Sequence, residues 1–321
     1  MKCRGLLGIA LLWLCSPAPV KAAECDLPLT SLKMRPLRGQ AYDVRTVPVT
    51  INGHTKNFQL DTGGVISQIS QHTVEELHLE SLDSGFQMYD VNGNVSHRAV
   101  TVENFLVGEL AFARVRLPIA TAHDQAIDGL LAANMMVNFD IDLDFPRDTM
   151  SYISPNHCPG GQAGWKTAQG TVPITLLNGR IAVKAMLDGQ RLDAFIDTGS
   201  TQSIMSEKVA KYFFHIPLGA AGDQPIKSIN NDPTLTGYLH TFANLSLGNM
   251  TIERPHILIL EDRMSRNGDR TPQIGNRALA HSARITLPDL IIGMNMLKDL
   301  RLYMSFSERR LYVTEGSTGK P

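Results

Sequence analysis

Two short stretches of this 321-residue chain carry the residues most suited to chemistry: Asp61-Thr62-Gly63-Gly64 and Asp197-Thr198-Gly199-Ser200. Each sets a carboxylate at the end of an apolar run, after Phe58-Gln59-Leu60 in one and Phe195-Ile196 in the other, and follows it with Thr-Gly. Two carboxylates brought together from such sites cannot both ionise, so one keeps its proton near neutral or mildly acidic pH. The ionised member can draw a proton from a water held between them while the protonated member polarises a carbonyl. That is the chemistry of peptide hydrolysis, and its titration belongs to the pair. Gly63 and Gly199 are expected to permit the tight turn that pushes each Asp into a shared cleft. Thr62 and Thr198 are expected to hydrogen-bond across the two halves. The His residues are scattered, the cysteines stand far apart, and no metal or cofactor is called for.

The elements that position these residues come as a duplication. The 136-residue separation of Asp61 from Asp197 also separates Ser67 from Ser203 and Ser70 from Ser206. Ser70 and Ser206 each precede a helical pattern and read as equivalent N-caps. Upstream, the run from Thr46 to Gly53 resembles that from Thr171 to Gly179 with a separation of 125, which implies a longer hairpin before the second Asp. Downstream, 128–136 resembles 289–297, with Ala132 opposite Gly293 and Asn134 opposite Asn295. Each copy closes with an alternating strand pair, over 139–153 and 300–313. Short strands punctuated by Asn-Gly and Gly turns predict an all-β chain with short helices. Asp140, Asp142 and Asp144 alternate along one strand. They lack the Gly turn and terminal Glu of a calcium loop and are expected to form a solvated face.

The expected organisation is a signal peptide at 1–22, an N-terminal segment at 23–44, a first lobe at 45–154, a Pro/Gly-rich linker at 155–170, a second lobe at 171–314 and a flexible tail at 315–321. The second copy is longer mainly at 261–288, a polar, arginine-bearing stretch that reads as a solvated insertion. Lys2 and Arg4 precede a short apolar run, and Val20-Lys21-Ala22 offers a small-residue cleavage site, so the chain is expected to be exported to the periplasm or the medium. That run is too short to span a bilayer, and stable membrane insertion is not expected. Cleavage leaves Cys25 and Cys158 of the four cysteines. In an oxidising compartment they most simply form one disulfide, the alternative being two free thiols. A net charge of −1 and the lack of a basic stripe argue against nucleic acid as a partner.

These motifs resemble those of a two-lobed aspartic protease, closest to the bacterial retropepsin-like aspartyl proteases, and the resemblance runs from Arg45 to Val313. It implies two homologous acid-protease β-barrel lobes with an active-site cleft between them. It further implies Asp61 and Asp197 as the catalytic pair, with Thr62, Gly63, Thr198, Gly199 and Ser200 in support. The stretch 86–94 lies where a flap hairpin would close over substrate, with Tyr89, Asn92 and Gly93 as possible contacts. The partner implied is a polypeptide substrate, and both lobes in one chain imply a monomer. Gly64 stands where the family has Ser, Thr or Ala, and Ala132 where it has Gly. These two departures favour the alternative, a non-catalytic peptide-binding protein on the same fold. Ser200 is expected to donate its hydroxyl to Asp197 and hold it ionised, which leaves the shared proton on Asp61.

Overall fold

Val47, Val49 and Ile51 alternate along one strand and are all buried, because side chains two residues apart share a face. The same period builds both halves of the protein. The structure, a computed structural model, describes residues 28–37, 44–89, 95–120, 127–155, 168–229, 232–261 and 288–316. The signal-like segment, Asn92, Gly93, Cys25, Cys158 and nearly all of the 261–288 insertion lie outside the described residues.

The first half contains β1 (Pro28–Lys33), β2 (Arg35–Pro36), β3 (Arg45–Ile51), β4 (His54–Asp61), β5 (Gln68–Ser70), α1 (Gln71–Glu76), β6 (Ser81–Tyr89), β7 (Val95–Val107), β8 (Leu110–Ala120), β9 (Gly129–Ala132), β10 (Asp140–Asp144) and β11 (Thr149–Ile153). Its main sheet runs β2-β3-β4-β9-β5-β8-β7-β6, and a further β3–β7 pairing closes six of these strands into a barrel. Phe58, Leu60, Val102, Phe105, Leu117 and Leu131 fill it.

The second half contains β12 (Gly170–Leu177), β13 (Arg180–Leu187), β14 (Gln190–Ile196), β15 (Ile204–Ser206), α2 (Glu207–Phe214), β16 (Gln224–Ile229), β17 (Asp232–Thr241), β18 (Asn244–Leu247), β19 (Met250–Glu253), β20 (His256–Leu260), β21 (Leu290–Ile292), α3 (Met294–Leu297), β22 (Leu300–Ser305) and β23 (Arg310–Glu315). It repeats the barrel with one change. The continuous β7 and β8 become β17–β18 and β19–β20, interrupted around Phe242-Ala243 and Arg254-Pro255, where Phe242 N donates to Pro255 O. Pro255 cannot donate to a ladder, so the strand breaks there.

Strand pairing corrects the expected alignment of the copies. The counterpart of the β3–β4 hairpin is β13–β14, whose Asp188-Gly189 turn has positive φ at both residues, as Asn52-Gly53 has. The 136-residue separation therefore holds upstream of the Asp as well, and no hairpin is lengthened. The run from Thr171 to Gly179 is an additional strand, β12, that pairs with β23 and β13. Both stretches are apolar strands ending in Asn-Gly, and only the pairing partner tells them apart.

Between the barrels lies a sheet ordered β1-β11-β10-β22-β23-β12, in which β10 and β22 join the two halves, with Ile141 opposite Met304 and Leu143 opposite Leu302. Here Asp140, Asp142 and Asp144 do not form a solvated face. Asp140 is fully buried and accepts from Ser305 Oγ at 2.8 Å, Ser307 Oγ at 3.0 Å, Ser307 N at 3.1 Å and Tyr303 OH at 3.3 Å. Asp142 takes a two-pronged grip from Arg301, Nη2 at 2.5 Å and Nε at 3.0 Å. Asp144 pairs with Arg147 at 2.8 Å and stands 3.7 Å from Arg301. Since β10 runs between β11 and β22 rather than at an edge, its polar face is roofed by donors from the other half over Asp140 and Asp142 and by Arg147 over Asp144.

Candidate active site

β4 ends at Asp61 and β14 ends one residue before Asp197, and each runs parallel to the strand that supports it. Asp61 lies opposite Ala132 of β9, and Asp197 N donates to Ile292 O of β21 at 3.0 Å. A bracket behind each loop is repeated bond for bond. Ser67 N and Oγ both donate to Asn134 Oδ1 at 2.8 Å, and Ser67 Oγ accepts from Ala132 N at 2.9 Å. In the second half Ser203 N and Oγ donate to Asn295 Oδ1 at 2.7 and 2.8 Å, and Ser203 Oγ accepts from Gly293 N at 2.9 Å. The repeat marks these four residues in the sequence, but spacing alone does not disclose that a serine and an asparagine 67 and 92 residues apart lock the loop.

The two loops are stitched together by threonines that are almost fully buried. Thr62 Oγ1 donates to Ile196 O at 2.7 Å and accepts from Thr198 N at 3.1 Å. Thr198 Oγ1 donates to Leu60 O at 2.9 Å and accepts from Thr62 N at 3.1 Å. Four bonds, each worth about 1 kcal/mol net, fix the distance between the halves where the carboxylates sit.

The glycines serve a different purpose from the tight turn expected of them. Neither Gly63 nor Gly199 has a left-handed backbone. A Cβ on Gly63 would overlap the carboxyl of Asp197, and one on Gly199 would stand 2.6 Å from Asp61 Oδ1. Each glycine is thus the floor on which the opposite carboxyl rests, and close approach is what demands the missing side chain.

Asp61 Oδ1 accepts from Gly64 N at 2.8 Å, and Asp197 Oδ1 accepts from Gly199 N at 2.9 Å and Ser200 N at 3.1 Å. The two carboxyls are hydrogen-bonded to each other. Desolvation raises both above the ordinary carboxylate value, and for Asp197 the nearby Asp61 charge adds to it and pushes the group up to about 7. Burial of both carboxyls leaves one proton to the pair as a whole. Ser200 Oγ donates to Gln202 O at 2.7 Å, so the hydroxyl expected to hold Asp197 ionised is engaged elsewhere.

Gly64 and Ala132 prove to be one departure rather than two. A Cβ on Gly64 would lie 3.1 Å from the Ala132 Cβ and 2.7 Å from Asp61 Oδ2. In the second half the larger residue is Ser200 and the small one Gly293, where a Cβ would meet Gln202 O at 2.3 Å. Gly64→Ser alone should cost about 1–3 kcal/mol by overpacking, and adding Ala132→Gly should recover a substantial part. A thermal-unfolding double-mutant cycle measures the coupling, and simple additivity would rule it out.

Tyr89 closes β6, its backbone paired with Val95. Among the described residues one group has the donors for a metal ion, His72, Glu76 and Asp128. Lys56 already pairs with Glu76 at 2.5 Å, and Asp128 accepts from Asn57 N at 2.7 Å, so this cluster is tied into the barrel wall.

The sequence profile described as aspartyl protease matches residues 47–135 and 183–296, which takes in both Asp-Thr-Gly loops. The chain belongs to the aspartyl protease family. Among solved structures, an aspartic proteinase from Irpex lacteus is similar to this family member at a TM-score of 0.54 and 12% identity, over 90% of this chain and 98% of that one. Conglutin gamma, a basic 7S globulin from lupine seeds, is similar at a TM-score of 0.49 and 8% identity, over 88% and 94%. No curated protein sequence matches the chain. The family and the shared fold support aspartic protease activity in general. No described helix of this aspartyl protease family member is long and apolar enough to cross a membrane.

Proposed function

We propose that the chain is an aspartic endopeptidase in which Asp61 and Asp197 act together on a water held between them. The observation that carries this reading is the hydrogen-bonded carboxyl pair, with Asp197 held up to about 7. Asp61, as carboxylate, takes a proton from the water while the new hydroxyl attacks the scissile carbonyl carbon. Asp197 gives its proton to the carbonyl oxygen, and a tetrahedral diol results. Transfer of a proton from Asp61 to the amide nitrogen, with return of a diol proton to Asp197, breaks the C–N bond and restores the single-proton pair. A polypeptide is the substrate in this scheme. Activity is expected to need that one proton and to fall about tenfold per pH unit above roughly 7. Digestion of a denatured protein mixture across pH, with and without a pepstatin-type inhibitor, tests this. Cleavage that persists in Asp61→Ala and Asp197→Ala would remove the reading, and so would its absence from the intact protein.

Export and a Cys25–Cys158 disulfide are part of the same proposal. The basic start, the apolar run and the cleavage pattern support export. The β1–β11 pairing supports the disulfide, because Pro28 and Ile153 lie opposite each other, three residues after one cysteine and five before the other. Intact mass after alkylation without reductant tests both. A chain beginning at Ala23 with no alkylated cysteine is expected, while an uncleaved start or two alkylated thiols would refute one or the other.

A further inference from the structure

The two loops are clamped a second time, and here the twofold relation breaks down in charge. Gln59 of the first half reaches across and donates Nε2 to Gly199 O at 3.2 Å. The equivalent carbonyl, Gly63 O, is taken from the second half by Arg180 Nε at 2.9 Å. The position equivalent to Gln59, 136 residues on, is Phe195, too apolar to donate. Its ring instead supports Arg180, whose guanidinium carbon stands 6.0 Å from the ring centroid. Arg180 opens β13 directly after the Asn178-Gly179 turn, and that turn packs on the first half, where a Cβ on Gly179 would stand 2.8 Å from Val65 Cγ1. So a hairpin of the second half docks beside the first Asp-Thr-Gly loop and brings a cation with it. Among the described residues no carboxylate forms a salt bridge with Arg180.

We propose that Arg180 is a positioning residue of the carboxyl pair: it holds Gly63 against Asp197 from the opposite lobe and supplies the charge that lowers the pH range in which the pair works. The proposal rests on the endopeptidase reading for its kinetic consequence only. Arg180 lies near enough to lower both Asp61 and Asp197 electrostatically, opposing the burial that raises them. The other charged groups on the four strands that carry the pair lie four or more residues before the carboxyls. On β4 these are His54 and Lys56, and on β14 Arg191 and Asp193. Asp128 and Asp289, before β9 and β21, are held by the backbone N–H of Asn57 and Asp193. Removing the nearby cation disfavours the anionic forms of the pair, so both limbs of a pH–activity profile move upward.

The test compares Arg180→Met, Arg180→Gln and Arg180→Lys with the unaltered protein by kcat/KM on one peptide substrate across pH, and by carbon-13 NMR titration of the aspartate carboxyls. Met and Gln should move both limbs, and the carboxyl titrations, up by about one pH unit. Lys keeps the charge without the planar donor, so its limbs should stay near the original while kcat falls about fivefold, the worth of one hydrogen bond. Limbs and titrations unchanged in Met and Gln would overturn the proposal, as would Lys behaving like Met. If the unaltered protein cleaves nothing, the endopeptidase reading fails on its own. The NMR titration then still decides Arg180, since an upward shift in Met and Gln supports its role and no shift refutes it.

Discussion

Asp197→Asn is expected to lower kcat/KM by at least ~10³-fold and, in the same protein, to raise stability at pH 7.5. The loss follows from removing the proton that polarises the carbonyl. The gain follows from linkage. The folded-state value of Asp197 is raised to about 7, well above the ordinary carboxylate value it regains on unfolding. Its favourable contribution is full below the unfolded value and is lost as pH rises through the folded one, at about 1.4 kcal/mol per pH unit for one proton. Asparagine carries no charge at any pH and removes this slope, which leaves the variant more stable by something on the order of 2–4 kcal/mol at pH 7.5. Urea unfolding at pH 4, 5.5 and 7.5 reads the slope directly. Equal slopes in the two proteins would show that the carboxyl is not held protonated by the fold, whatever the assay reports. Sites that work by straining their own charges commonly give up stability to do so.

Arg301→Ala should be the most damaging substitution away from the cleft, costing about 3–5 kcal/mol. Arg301 on β22 satisfies Asp142 on β10 with two bonds and stands close to Asp144, across the seam that joins the halves. Burial raises Asp142 and Arg301 opposes it, while the pairing raises Arg301 further above its ordinary value. Truncating the arginine leaves a carboxylate 12% exposed without its two-pronged partner, with only Arg147 left to oppose its charge. The cost should therefore grow with pH, because Asp142 escapes only by staying protonated, and the variant should lose more at pH 8 than at pH 5. Thermal unfolding at both values measures it, and a fall of roughly 10 °C is expected. The pair Asp142→Leu with Arg301→Met should recover much of the loss, since the penalty lies in the orphaned charge rather than in missing attraction. A loss under 1 kcal/mol, or one indifferent to pH, would show that the apolar rows of Ile141, Leu143, Leu302 and Met304 carry the seam alone.

The site was legible in the sequence to the extent that it repeats. Asp61 and Asp197 announce themselves because the same apolar–Asp-Thr-Gly pattern occurs twice at one separation, and Ser70 and Ser206 because an N-cap needs only local chemistry. Their hydroxyls accept from Thr73 N and Val209 N at 3.1 and 3.2 Å. The upstream match failed for a related reason. An apolar strand ending in Asn-Gly is a local pattern shared by β3 and β12, and register across a sheet is not local. The alternation of Asp140, Asp142 and Asp144 was likewise readable as one face of a strand, but what covers Asp140 and Asp142 comes from residues more than 150 positions away.

By itself, then, the sequence determined the duplication, the all-β character and the identity of the two carboxylates, because each of these is a matter of period or repetition along the chain. Only the tertiary structure decided where the Ser200 hydroxyl goes, why Gly63 and Gly199 have no side chain, how Gly64 and Ala132 meet, and that Arg180 reaches the opposite loop. The glycine floors and Arg180 depend on distances across the seam between halves, and the other two on side-chain contacts within one half that spacing does not disclose. A hydroxyl one residue past Gly199 looks, in sequence, like a donor to its own aspartate. In space a carbonyl two residues on captures it, and a hairpin of the second half brings Arg180 onto the first Asp-Thr-Gly loop.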